Sequence, residues 1–210
     1  MSSRDLAAAA EAKFLDGVRY AAEFFMGKAN VQRAMQKFIR LLEALEIPYA
    51  VVGAMALNEY GYRRVTDDVD VLLTRDGLAR FKREWLGKGY VEKVPGGRGL
   101  RDTENGVAID IVVAGDYPGD GKPKPVAFPD PAVEAQRGEH VRLLPIERLV
   151  ELKLASGMSA PHRLRDLADV LELIRICELP AEMTAQLDPS VREKFNELWQ
   201  AAQSAPADES

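Results

Sequence analysis

Asp68 and Asp70 stand one residue apart where an apolar run, Asp68-Val69-Asp70-Val71-Leu72-Leu73, begins. On an extended strand, alternate residues share a face, so both carboxylates would point the same way. A pair so placed could hold a hard divalent cation through oxygen ligands. Asp110 is a third carboxylate, set inside the apolar stretch Ala108-Ile109-Asp110-Ile111. A carboxylate in such surroundings is costly unless it meets a metal or a cationic partner. Three acidic groups on neighbouring strands could hold two divalent ions about 3.5–4 Å apart, as two-metal phosphoryl transfer requires. Upstream, Gly53 closes the apolar run that starts at Tyr49. A glycine turn there would let a phosphate approach backbone N–H groups.

These residues need strands and turns to position them. Tyr49–Gly53, Val69–Leu73, Tyr90–Val94 and Val107–Val113 read as strands. The alternation in the last of them sets Asp110 on the face opposite Ile109 and Ile111. Residues 4–27 and 30–46 read as helices, the second from the spacing of Met35, Phe38, Ile39, Leu42 and Leu45. Ala54–Tyr60 reads as a short helix stopped by Gly61, and Asp76 as the N-cap of a helix through Leu86. Gly96–Gly99 is a turn, and the proline- and glycine-rich residues 115–131 form a loop suited to the mouth of a site. Helices follow from Pro145 to about Ser156, from Pro161 through Cys177, and from Asp188-Pro189 to about Gln203. Leu164, Leu167, Ala168, Leu171 and Ile174 make the apolar stripe of the middle one. The last residues, SAPADES, are expected to be disordered. The order of elements predicts an α+β fold, a small mixed sheet flanked by helices. It divides into N-terminal helices (1–46), a core (47–142), C-terminal helices packed on it (143–203) and the tail (204–210), as one structural unit.

Composition narrows the chemistry. The net charge of −5 excludes a global basic field that would attract nucleic acid. Arg63, Arg64, Lys122, Lys124, Arg163 and Arg165 could still build a local basic patch. Cys177 is the only cysteine, which excludes an intrachain disulfide and a cysteine-rich zinc site. With only His140 and His162 as imidazoles, oxygen ligands and hence Mg2+ or Mn2+ suit the chain best. No signal-peptide pattern and no long apolar segment is present, so a cytoplasmic protein without a membrane span is expected.

The stretch VVGAMALNEYGYRRVTDDVDVLL resembles the nucleotidyltransferase superfamily, whose best-known relative is DNA polymerase beta. Its pattern is an apolar strand, Gly-Gly or Gly-Ser, a short helix, Asp-x-Asp on the next strand and a third Asp later. Gly53-Ala54, Asp68-Val69-Asp70 and Asp110 match it, with Ala54 in place of the usual Ser or Gly. The spacing Arg64-x-Thr66-x-Asp68-x-Asp70 looks most like minimal bacterial members of the abortive-infection and toxin–antitoxin type. Ile146-x-x-Leu149-x-x-Leu152-Lys153-Leu154 followed by Arg163-x-Arg165-Asp166-x-x-Asp169 extends the likeness, which covers residues 30–178.

The resemblance implies a nucleotidyltransferase fold with N- and C-terminal helical extensions. It implies transfer of a nucleoside monophosphate from an NTP, with Mg2+ or Mn2+, to an acceptor hydroxyl. Asp68, Asp70 and Asp110 would be the metal-binding and catalytic carboxylates. Gly53 and Ala54 would admit the β- and γ-phosphates, and Thr66 with Arg64, or equally Arg63, would contact phosphate. Lys153, a lysine that must reach outward or meet an anion within its apolar run, would contact the triphosphate. Arg163 or Arg165, with Asp166, would orient the base or the acceptor, whereas Asp169 reads as structural. The acceptor would be a tRNA 3′ end, a protein or a small molecule such as an aminoglycoside. A toxin-like relative would also have a cognate antitoxin as partner. The alternative is a catalytically silent binding module on the same fold, to which Ala54 is suited and three retained carboxylates are not.

Overall fold

The computed structural model describes residues 29–204. The helix expected over 4–27 and the tail after Ser204 lie outside the described residues. Helix α1 covers 29–44 and buries Val31, Ala34, Met35, Phe38, Ile39 and Leu42, the three- and four-residue spacing of its sequence. It leads into strand β1 (Tyr49–Val52), buried throughout, then α2 (Gly53–Glu59), β2 (Asp68–Leu73) and α3 (Arg75–Trp85). Next come β3 (Tyr90–Glu92), β4 (Leu100–Asp102) and β5 (Val107–Val113). After the proline-rich loop follow α4 (Pro131–Glu134), β6 (Gln136–Arg137), β7 (Arg142–Leu143), α5 (Ile146–Ser159), α6 (Leu164–Ile176) and α7 (Arg192–Ser204).

The strands form one mixed sheet in the order β3-β4-β5-β2-β1-β7-β6. Strand β2 lies at its centre, antiparallel to β1 and parallel to β5. In β5 every second residue, from Val107 to Val113, is buried, while Ala108, Asp110 and Val112 face a partly open side. β2 keeps the same alternation at its start, with Val69 buried between Asp68 and Asp70. The carboxylates therefore share one face, and the valines and isoleucines beside them fill the other. Phe38 of α1, Phe81 of α3 and Tyr90 of β3 pack as an aromatic trio, with Phe81 and Tyr90 edge to face at 5.1 Å.

Three expectations are corrected. The cap of α3 is Thr74, whose hydroxyl accepts from Gly77 N at 3.0 Å, rather than Asp76. Strands β4, β6 and β7, of two or three residues each, are additional to those anticipated. The buried face of α6 is Asp169, Val170, Leu173 and Ile174, while Leu164 and Ala168 are exposed. No helix among the described residues is long and apolar enough to cross a membrane.

Candidate active site

The parallel register of β2 and β5 sets Asp70 directly beside Asp110 and Asp68 beside Ala108. Carboxylate oxygens of Asp68, Asp70 and Asp110 all lie within 4.8 Å of one another. Asp68 Oδ1 accepts a hydrogen bond from the Thr66 hydroxyl at 2.5 Å, and Asp110 Oδ1 one from Lys93 Nζ at 2.7 Å. Asp70, between them, takes no side-chain hydrogen bond among the described residues. Burial first, and then the charges of Asp68 and Asp110, push its carboxyl up to about 6 against the pull of Lys153 and Arg64. Crowded, half-buried carboxylates without a donor for the middle one are a donor set suited to a divalent cation, which would relieve all three.

Gly53 follows β1, whose Val52 pairs with Asp70. Its φ of +62° belongs to the left-handed region, and a Cβ there would sit 1.9 Å from Asp70 Oδ2. Glycine is thus required twice, by conformation and by the approach of the carboxylate. It leaves bare backbone beside the acidic trio, and Ala54 behind it is buried. The trio opens into a cleft of about 740 Å³. Gly53, Asp70 and Asp110 form its floor, Arg98 and Gly99 one rim, residues 116–121 another, and Lys153, Ser156, Arg163 and Asp166 the helical wall.

No family model matches the chain, and no curated relative matches it. Among solved structures it is similar to a provisionally assigned nucleotidyltransferase from H. pylori, with 19% identity over 83% of this chain and 92% of that one and a TM-score of 0.48. It is similar to ANT(2'')-Ia in complex with adenylyl-2''-tobramycin, with 14% identity over 82% of this chain and 98% of that one and a TM-score of 0.46. JHP933 from Helicobacter pylori is a further similar structure, with 16% identity over 83% of this chain and 90% of that one and a TM-score of 0.36.

The helical wall is built on a buried ion network. Lys153 Nζ lies 2.7 Å from Asp169 Oδ2 and 3.1 Å from Asp166 Oδ1. Asp169 Oδ2 also takes Arg64 Nη1 at 2.6 Å, so one buried carboxylate joins α5, α6 and the segment entering β2. Asp166 Oδ2 accepts from the Ser156 hydroxyl at 2.7 Å, and Lys153, Ser156 and Arg163 together hold its carboxyl below the ordinary range despite burial.

The structure therefore brings Gly53, Asp70, Asp110, Lys153 and Asp166 to one cleft, with Asp68 at the trio's edge. Arg64 and Thr66, expected at phosphate, are not among the residues lining this cleft, though Thr66 bonds Asp68 of the trio. Both line a separate hollow of about 400 Å³ beside α1 and α2, Arg64 committed to Asp169 and Thr66 to Asp68. Of the two arginines weighed for the helical wall, Arg163 lines the cleft and Arg165 is exposed outside it. Lys93, Arg98 and Ser156 complete the surroundings and were not singled out from sequence. The turn Gly96–Gly99 was the available signal for Lys93 and Arg98, since a hairpin there folds both back over β5.

Proposed function

We propose that the chain is a divalent-metal-dependent nucleotidyltransferase that moves a nucleoside monophosphate from an NTP to an acceptor hydroxyl. The observation that carries this reading is the register that sets Asp70 against Asp110, beside a glycine whose absent side chain exposes backbone at the same spot. Asp68 and Asp70 would hold the cation, which when bound supplies charge neutralisation for the phosphates. The backbone at Gly53 gives the phosphates a close approach, and Lys153 and Arg163 face them across the cleft. Asp110 accepts the proton of the attacking hydroxyl. The new bond forms between that oxygen and the α-phosphorus, the bond to the β-phosphate oxygen breaks, and pyrophosphate leaves. The acceptor is a tRNA 3′ end, a protein or a small molecule.

The test is incubation with each α-labelled NTP and Mg2+, separately with total tRNA, with extract protein and with small hydroxylated antibiotics. The label is expected in one of these pools with release of pyrophosphate. The absence of Mg2+-dependent NTP binding in equilibrium dialysis would overturn the reading.

A further inference from the structure

Lys93 reaches the acidic trio by a route built into three strand ends. Lys93 N donates to Gly99 O at 2.9 Å, so these residues face each other just past the last β3–β4 pair. Leu100 pairs with Ile109, which puts Gly99 next to Asp110. The lysine stem must therefore cross the middle position to touch Asp110, and glycine leaves it that path. A Cβ on Gly99 would lie 2.9 Å from Lys93 Cδ and 3.2 Å from Asp110 Oδ1. The hairpin tip is fixed from below, where Lys82 Nζ binds Glu92 Oε1 at 2.6 Å and Gly96 N donates to Glu92 Oε2 at 2.7 Å. Lys153 and Arg64, the other cations near the trio, are committed to Asp166 and Asp169. Among the described residues, Lys93 is the cation that forms an ion pair with the trio.

On the reading of the trio as a metal site, we propose that Lys93 takes the place of a second divalent cation. The site then binds one ion, between Asp68 and Asp70, and the Lys93 ammonium supplies the positive charge at Asp110. One divalent ion and one ammonium match the charge of three carboxylates. Lys93 engages Oδ1 of Asp110 and leaves Oδ2 to receive the proton of an acceptor. Lys93 is in this sense a positioning residue, acting on Asp110 and on the number of ions admitted.

The deciding measurement is the count of Mn2+ ions bound per chain, by electron paramagnetic resonance and by calorimetry, with the non-hydrolysable probe α,β-methylene-ATP present. The wild-type chain is expected to bind one ion, Lys93→Met and Lys93→Gln two, and Lys93→Arg one again. Far-UV circular dichroism verifies that each variant is folded, and Lys93 lies at a half-exposed edge where truncation leaves no core cavity. Two ions in the wild type, or one ion in wild type and both truncations alike, overturns the proposal. Binding of no Mn2+ by any of these proteins overturns the metal site itself, an outcome distinct from a wrong count.

Discussion

Asp70→Asn tests the electrostatics of the site without presupposing a substrate. The carboxyl of Asp70 is pushed from 3.8 up to about 6, chiefly by burial and then by Asp68 and Asp110. A folded-state value raised above the unfolded one means that ionisation costs the native state. The stability Asp70 contributes is therefore whole below the unfolded value and lost as pH rises through about 6. A shift of about two pKa units corresponds to about 3 kcal/mol at ~1.36 kcal/mol per unit. Asparagine keeps the shape and cannot ionise. At pH 8 in EDTA the variant should be more stable than wild type by up to about 3 kcal/mol, and near pH 4 the two should converge. A divalent cation offsets most of that difference, because it favours the ionised trio. At about a hundredfold excess over its dissociation constant it stabilises the wild type by about 2.7 kcal/mol, and the variant far less. Urea unfolding followed by circular dichroism at pH 4, 6 and 8, with EDTA and with Mg2+, gives every value needed. Equal stability of the two proteins at pH 8 in EDTA, or equal stabilisation of both by Mg2+, would refute the reasoning.

Two further outcomes follow from single contacts. Gly53→Ala places a Cβ 1.9 Å from Asp70 Oδ2 at a φ of +62°, adding about 1–2 kcal/mol of left-handed strain and turning the carboxylate aside. Mn2+ affinity in a spectroscopic titration should fall roughly 10–100-fold, and an unchanged affinity would show that Asp70 is not a ligand. Lys153→Met withdraws the cation shared by Asp166 and Asp169. It should cost about 3 kcal/mol in urea unfolding at pH 7, and a loss below about 1 kcal/mol would mean that Arg64 alone suffices for Asp169.

Much of the sheet is written in local periodicity. The alternation in β5 and the Asp-x-Asp at the start of β2 place the three carboxylates on one face, and the structure agrees. Gly53 and the proline-rich rim are legible for the same reason, as turn chemistry is local. What escaped depends on contacts between distant residues. The predicted stripe of α6 shares Ile174 with the buried face, but Val170 and Leu173 take the places of Leu164 and Ala168, because the buried face turns toward Asp169. Only Lys153 and Arg64, brought from other elements, make it a core residue. Arg64 lies near the carboxylates in sequence, but its ion-pair partner is on α6, a contact that proximity along the chain does not reveal. Strands of two or three residues, such as β6 and β7, are too short to show a period, and their pairing is decided by the sheet edge they join.

The β2–β5 junction also bears on how the protein is made. Those strands are parallel neighbours, yet α3 and the β3–β4 hairpin lie between them in the chain. No short segment holds the acidic trio, so its geometry arrives only when the loop between Asp70 and Asp110 closes, a slow class of contact in folding. Like charges oppose that closure, and a divalent cation in the refolding buffer would favour it by meeting them as they converge. Once paired on both sides, β2 cannot fray without dissolving the sheet. The cleft floor should therefore keep its amide protons in hydrogen exchange until the whole molecule opens.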